Sequence, residues 1–196
     1  MKKVKIFLVL AFVSLSIISC NKDDDNDSSS SSNFLKVGDS EYTLKAGVIE
    51  DYGSFSTGVY NFDVLLTTSK LTTIAGEVLP QDEIFSGIYF ELFTANENNL
   101  EEGVYNFSTS GEANTFEYGD IIIDATIGES EPTYYEITGG SFEVLDNGNT
   151  YNLKFEGMME NGQSFSGAYR GSLTKIVDTF EGKGTTSTKT RAFSRK

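Results

Sequence analysis

The chain has no histidine and no tryptophan, a single cysteine and two prolines in 196 residues. Without histidine there is no His-based catalytic triad and no imidazole metal ligand. A metal site would be built from oxygens alone, which favours calcium. Without tryptophan there is no indole platform for stacking sugars. One cysteine excludes an internal disulfide framework. Positive charge is also scarce: Lys and Arg total 15 against 29 Asp and Glu, for a formal net charge of −14. Nucleic acid and anionic lipid are therefore poor partners.

The one cysteine is well placed. Lysines at 2, 3 and 5 precede an apolar stretch from Ile6 to Val13, and the run Leu15-Ser16-Ile17-Ile18-Ser19 leads into Cys20. That is the plan of a secretory signal. The apolar stretch falls short of the roughly 20 residues of a spanning helix. An ordinary cleaved signal would share this plan without using the cysteine. The ending resembles a bacterial lipobox, which implies lipidation of Cys20 as the mature N-terminus. Loss of residues 1–19 removes three lysines and no acid, taking the charge from −14 to −17.

Asn21-Lys22-Asp23-Asp24-Asp25-Asn26-Asp27 and the serines Ser28 to Ser32 follow. So polar and acidic a run cannot bury apolar surface, and it reads as a disordered tether over 20–33. It would span roughly 20 Å as a coil and roughly 45 Å fully stretched. Lys22, Asp23, Asp24 and Asp25 after the lipidated cysteine resemble the export signal of Bacteroidota surface lipoproteins. The resemblance implies an outer-membrane anchor facing the extracellular side. A solvated spacer is the plainer reading, and an acidic calcium loop a third.

From 34 to 177 the signals are those of strands in one domain. Apolar residues alternate in Tyr60/Phe62/Val64/Leu66, Ile88/Phe90/Leu92, Phe142/Val144 and Tyr151/Leu153/Phe155, separated by Gly, Asn, Asp and Ser. No stretch carries a helical stripe. The expectation is an all-β fold, a single antiparallel barrel or sandwich.

The C-terminal part allows register to be predicted. Asn147-Gly148 suits a two-residue type I′ turn, pairing Val144 with Tyr151 and Phe142 with Leu153. Glu160-Asn161-Gly162 reads as a three-residue loop ending in a left-handed glycine, which sets Gly157 opposite Phe165, Phe155 opposite Gly167, Leu153 opposite Tyr169 and Tyr151 opposite Gly171. Aromatics facing glycines fill the concave side of curved sheets. Gly139-Gly140 sits where the apolar parity flips, as at a bulge.

The pentapeptide Gly58-Val59-Tyr60-Asn61-Phe62 recurs at Gly103-Val104-Tyr105-Asn106-Phe107 with unrelated flanks, and reads twice as a glycine turn feeding a strand. From Leu100, Gly103, Tyr105 and Phe107, through Phe116, Ile137 and Phe142, to Phe165, Gly167, Tyr169 and Leu173, the pattern resembles a module of Bacteroidota lipoproteins. That resemblance covers about half of the chain and implies a lipocalin-like or sandwich β architecture.

Candidate ligand-contacting residues lie on the outward faces. Glu143, Asn152, Lys154, Glu156 and Arg170 point away from the aromatic side in the predicted register, with Asn152 opposite Arg170. The Arg170 guanidinium fork suits a carboxylate or sugar acid; the plain alternative is a cross-strand charge network worth about a few tenths of a kcal/mol. Tyr52, Phe55, Tyr118, Tyr134 and Tyr135 fall near loops or strand ends and offer a sugar-contacting strip, or ordinary half-buried packing. Glu97, Glu101, Glu102, Glu112, Glu117, Asp120 and Asp124 supply carboxylates for a glycosidase pair or a calcium site, with no motif to single two out.

Residues 178–196 are Gly/Thr/Ser-rich and basic, and read as a disordered tail. The expectation is therefore a lipid-anchored outer-membrane protein that binds a glycan or protein without catalysis. It has no cofactor beyond the lipid on Cys20, no metal site and no nucleic-acid partner. Sequence leaves the oligomeric state open, and a calcium-dependent or structural envelope role and a carboxylate glycosidase stand as alternatives.

Overall fold

The computed structural model describes residues 33–75, 77–127 and 133–177. The signal and lipidation site at Cys20, the Lys22–Asp25 run and the basic tail lie outside the described residues. Within them the chain is all-β, 71% strand with no helix, so no described helix could cross a membrane.

Thirteen strands follow one another: β1 (Phe34–Val37), β2 (Ser40–Thr43), β3 (Ala46–Ser56), β4 (Val59–Thr67), β5 (Leu71–Ile74), β6 (Glu77–Pro80), β7 (Ile84–Thr94), β8 (Gly103–Phe107), β9 (Thr115–Thr126), β10 (Tyr134–Asn147), β11 (Tyr151–Met159), β12 (Ser164–Gly171) and β13 (Thr174–Val177). Eleven form one sheet in the order β13-β3-β4-β7-β9-β8-β10-β11-β12-β1-β2, and β5-β6 is a separate hairpin. The large sheet curls into a half-barrel. The expected antiparallel pairing prevails, but β13 runs parallel to β3 and β8 parallel to β9, so the sheet is mixed.

One continuous stretch runs from the margin strand β2 to β3, the neighbour of the opposite margin strand β13. β2 pairs with β1, and the next residue extends that ladder, the Leu44 N–H donating to the Asn33 carbonyl at 3.1 Å. One residue later the chain has changed partner: the Lys45 N–H donates to the Thr67 carbonyl at 2.8 Å, opening the β3–β4 ladder. Leu44, at the corner, is buried in the core.

Period-two alternation explains the interior. Phe62, Val64 and Leu66 of β4, Ile88, Phe90 and Leu92 of β7, Phe142 and Val144 of β10, and Leu153 and Phe155 of β11 are all buried on one face. Curling brings distant strands together: the Phe90 ring meets Phe142 at 4.9 Å and Phe155 at 5.7 Å between centroids. At about 25 cal/mol per Å² such rings dominate the burial that holds the fold. The half-barrel is thus filled by its own side chains.

The loop between β7 and β8 closes one end. Leu100 plugs the core at 0% exposure. Asn99 donates to the Asn147 carbonyl at 3.0 Å, and Asn147 donates to the Leu100 carbonyl at 2.8 Å. Three buried tyrosines stand at this end. Tyr105 donates to the Glu101 carbonyl, Tyr169 to the Ser172 carbonyl and Tyr151 to the Asn99 side chain. Burial raises the pKa of each phenol above 10.0.

The β11–β12 register is the one the glycine–aromatic pattern predicts: Gly157 faces Phe165, Phe155 faces Gly167, Leu153 faces Tyr169 and Tyr151 faces Gly171. Gly162 is left-handed at φ 80°. Both copies of the pentapeptide begin on a positive-φ glycine, Gly58 and Gly103, and run into β4 and β8. The β10–β11 register corrects the expectation by two residues, because Phe142 pairs with Phe155, Val144 with Leu153 and Asn147 with Tyr151. The Asp146 carboxylate accepts the Gly148 N–H at 2.9 Å, and a register shift between Val144 and Asp146 accompanies it. This Asx turn makes a three-residue loop of 148–150 in place of the type I′ turn. The shift is even, so the inward face is unchanged.

Candidate functional site

The register of β10 on β11 shifts between Ile137 and Gly139, just ahead of the Gly139-Gly140 pair expected to mark a bulge, and an open concavity lies beside it. Before it, β10 pairs with β9 through Glu136 and Asp120; after it, β10 pairs with β8 through Ser141 and Asn106. The sheet forks here, and Gly140 takes φ +136° with its Cα side pressed on the Glu156 carbonyl, where no Cβ fits. A groove of about 700 Å³ opens beside the fork on the outer face of β8, β10, β11, β12 and β1, lined by Lys36, Gly38, Asn106, Gly140, Ser141, Glu156, Gly157, Met158, Ser164, Phe165 and Ser166. That volume lies within the roughly 300–1,000 Å³ of small-molecule sites.

Register orders the groove's polar groups. Asn106 faces Ser141, Ser141 faces Glu156, Glu156 faces Ser166 and Ser166 faces Lys36. At about 4.8 Å per strand, this row across five strands is roughly 19 Å long, and Glu156 stands roughly 10 Å from Lys36. Among the described residues, none of the side chains of Lys36, Asn106, Ser141, Glu156, Ser164 and Ser166 makes a hydrogen bond or ion pair within the chain. Two serines elsewhere are engaged locally. The Ser69 hydroxyl accepts the Gln81 and Asp82 N–H groups, and the Ser86 hydroxyl that of Asp124.

A second polar group lies on the outer face of β3, β4, β7 and β9. Glu50 faces Asp63, Asp63 faces Glu91 and Glu91 faces Tyr118. Asp63, Glu91 and Asp120 are 3%, 7% and 2% exposed. The Tyr89 hydroxyl donates to Asp63 and that of Tyr118 to Asp120. Beside them Val48, Leu65 and Tyr89 pack against Leu71 and Val78 of the β5–β6 hairpin. Asp63 and Asp120 thus each accept a tyrosine hydroxyl, and with Glu91 they are buried from solvent. Among the described residues, no three His, Cys, Asp or Glu side chains are grouped to hold a metal ion.

The structure places the sequence-derived candidates apart. Asn152 and Arg170 are Cα partners on β11 and β12, on the groove's face. They stand four residues from Glu156 and Ser166, roughly 13 Å along the strands. The Arg170 backbone is held by Asn33, whose side chain accepts its N–H at 2.7 Å and donates to its carbonyl at 3.2 Å. Tyr118 and Tyr134 lie on β9 and the start of β10, both half-buried, away from Arg170. The tyrosine strip does not assemble: Tyr52 is buried, Tyr135 packs on the core, and exposed Phe55 rests on Phe93 at 4.6 Å. Of the carboxylates picked from sequence, Asp120 joins the buried group, while Asp124 takes φ 49° and bonds Ser86. Asp63 and Glu91 were missed as site residues, although their alternation with Phe62, Val64, Phe90 and Leu92 places them outward.

Comparison of the chain with protein-family models, with curated proteins and with solved structures finds no match.

Proposed function

We propose that this chain is a lipoprotein anchored through Cys20 to the outer membrane and exposed on the cell surface, and that its β domain is a non-catalytic binding module. The observation that carries the binding part is the outer-face groove, whose six polar side chains make no hydrogen bond among the described residues. Unengaged donors and acceptors gathered in an open concavity cost nothing in water and become directional contacts when a ligand displaces that water. With its interior filled by Phe90, Phe142 and Phe155, the half-barrel would hold its ligand outside and not in a lumen. The anchoring part rests on the lipobox-like approach to Cys20 and the acidic run after it.

One experiment tests both parts. A photo-crosslinking amino acid replaces Ser164 in the groove or Thr73 on the separate hairpin, in intact cells then shaved with external protease. Adducts formed from position 164 and not 73, removed by shaving and absent from the surface in a Cys20→Ala background, are the expected result. Equal labelling at both positions would overturn the groove reading, and protection from protease until lysis would overturn surface exposure.

A further inference from the structure

The chemistry of this groove selects a class of ligand. Resting on the reading of the groove as a binding site, we propose that it takes a neutral, hydroxyl-rich oligosaccharide segment laid across the strands.

Three observations lead there. First, along the row from Asn106 to Lys36 every strand is paired on both sides, and β10 lacks a second neighbour only over the short fork between Glu136 and Ser141, so the row has no strand edge. An extended peptide cannot add to it as a strand, and recognition falls to side chains. Second, four of the six polar groups, Asn106, Ser141, Ser164 and Ser166, are uncharged amides or hydroxyls that both donate and accept. Sugar hydroxyls have the same dual character. Lys36 and Glu156 are of opposite sign, so the lining itself carries no net charge, and Glu41, which faces Lys36 from β2, adds to the chain's overall −14 in repelling polyanions. Third, the row is roughly 19 Å long, more than one sugar ring covers, and its small residues leave depth for rings to settle. Met158, 45% exposed at the rim, is the one large apolar surface there. With no tryptophan or exposed aromatic in the lining, hydrogen bonds carry recognition, and affinity is modest, with Kd of about 0.1–1 mM.

The test is calorimetric titration of the protein with tetrasaccharides of glucose, xylose, mannose and N-acetylglucosamine, beside Ser141→Leu, Ser166→Leu and, as a control on the hairpin, Thr73→Leu. Thermal melting checks that each variant keeps its fold, as outward serines on a sheet should allow. The expected result is binding of at least one tetrasaccharide, weakened 10-fold or more by each groove leucine and unchanged in Thr73→Leu. Binding indifferent to the groove leucines would overturn the assignment by placing the sugar elsewhere. If no tetrasaccharide binds while crosslinking from position 164 still captures a partner, the saccharide class is wrong and the groove reading survives. If both fail, both readings fall.

Discussion

Replacing Gly167 with alanine should cost this protein about 2–3 kcal/mol. Gly167 has an ordinary extended backbone, so the cost is one of space and not of φ. A Cβ there would strike the edge of the Phe155 ring and come within 2.5 Å of the Phe34 carbonyl oxygen. The ring cannot simply retreat, being held by Phe90 at 5.7 Å and stacked on Phe142 at 6.4 Å. The carbonyl belongs to β1, so moving it disturbs the β1–β12 ladder. Overpacking of this kind typically costs about 1–3 kcal/mol, and a backbone obstacle puts this site at the upper end. Phe155→Ala alone should cost about 3–5 kcal/mol as a cavity. In the double variant the new methyl enters part of the vacated space while the Phe34 carbonyl stays in the way, so the two penalties should fall short of additivity by about 1 kcal/mol. Urea unfolding measures all four proteins, followed by far-UV circular dichroism and tyrosine fluorescence, which no tryptophan obscures. A Gly167→Ala variant within about 0.5 kcal/mol of the parent, or full additivity, would refute the argument that this glycine exists to seat Phe155.

Stability should fall in alkali. Burial raises the pKa of Tyr105, Tyr151 and Tyr169 above the unfolded value of 10.0; the unfolded chain therefore loses these protons first, and the stabilisation is complete below pH 10 and lost as pH rises through the folded values. Urea midpoints measured from pH 8 to 12 should be level and then drop, with a shallower drop in Tyr169→Phe. Asn147→Ala removes the donor to the Leu100 carbonyl, at a cost of about 1–3 kcal/mol. Hydrogen exchange should then quicken in residues 95–102 before it changes in β11 or β12.

Sequence made local pairing legible where side chains of unequal size alternate on one face. Gly157, Gly167 and Gly171 against Phe165, Phe155 and Tyr169 admit one register of β11 on β12, because a slip sets ring against ring. The β10–β11 turn was harder to read, since Asn147-Gly148 satisfies the type I′ preference while the preceding Asp146 offers a competing Asx turn, and the carboxylate wins. Long-range pairing leaves no such mark. The parallel contact of β13 with β3, and the insertion of β8 between β9 and β10, depend on where the sheet curls. The groove was legible only in part for the same reason. Glu156 reads as outward from its neighbours Phe155 and Gly157, but its alignment with Lys36, 120 positions earlier, exists only once β1 docks on β12.

The unbroken run from β1 through β2 into β3 has a mechanical meaning. β1, the first of the described strands, is no margin but is clasped between β12 on one flank and β2 on the other, with Asn33 gripping both backbone groups of Arg170 at its entrance. Because β2 continues without a break into β3, the second flank is in turn fastened to the opposite side of the half-barrel. A pull along β1 from the residues ahead of it thus loads two ladders in shear at once, where a strand at a free margin would peel away one hydrogen bond at a time. A domain threaded in this way can be held by its N-terminal end under flow or drag without being unzipped from that end.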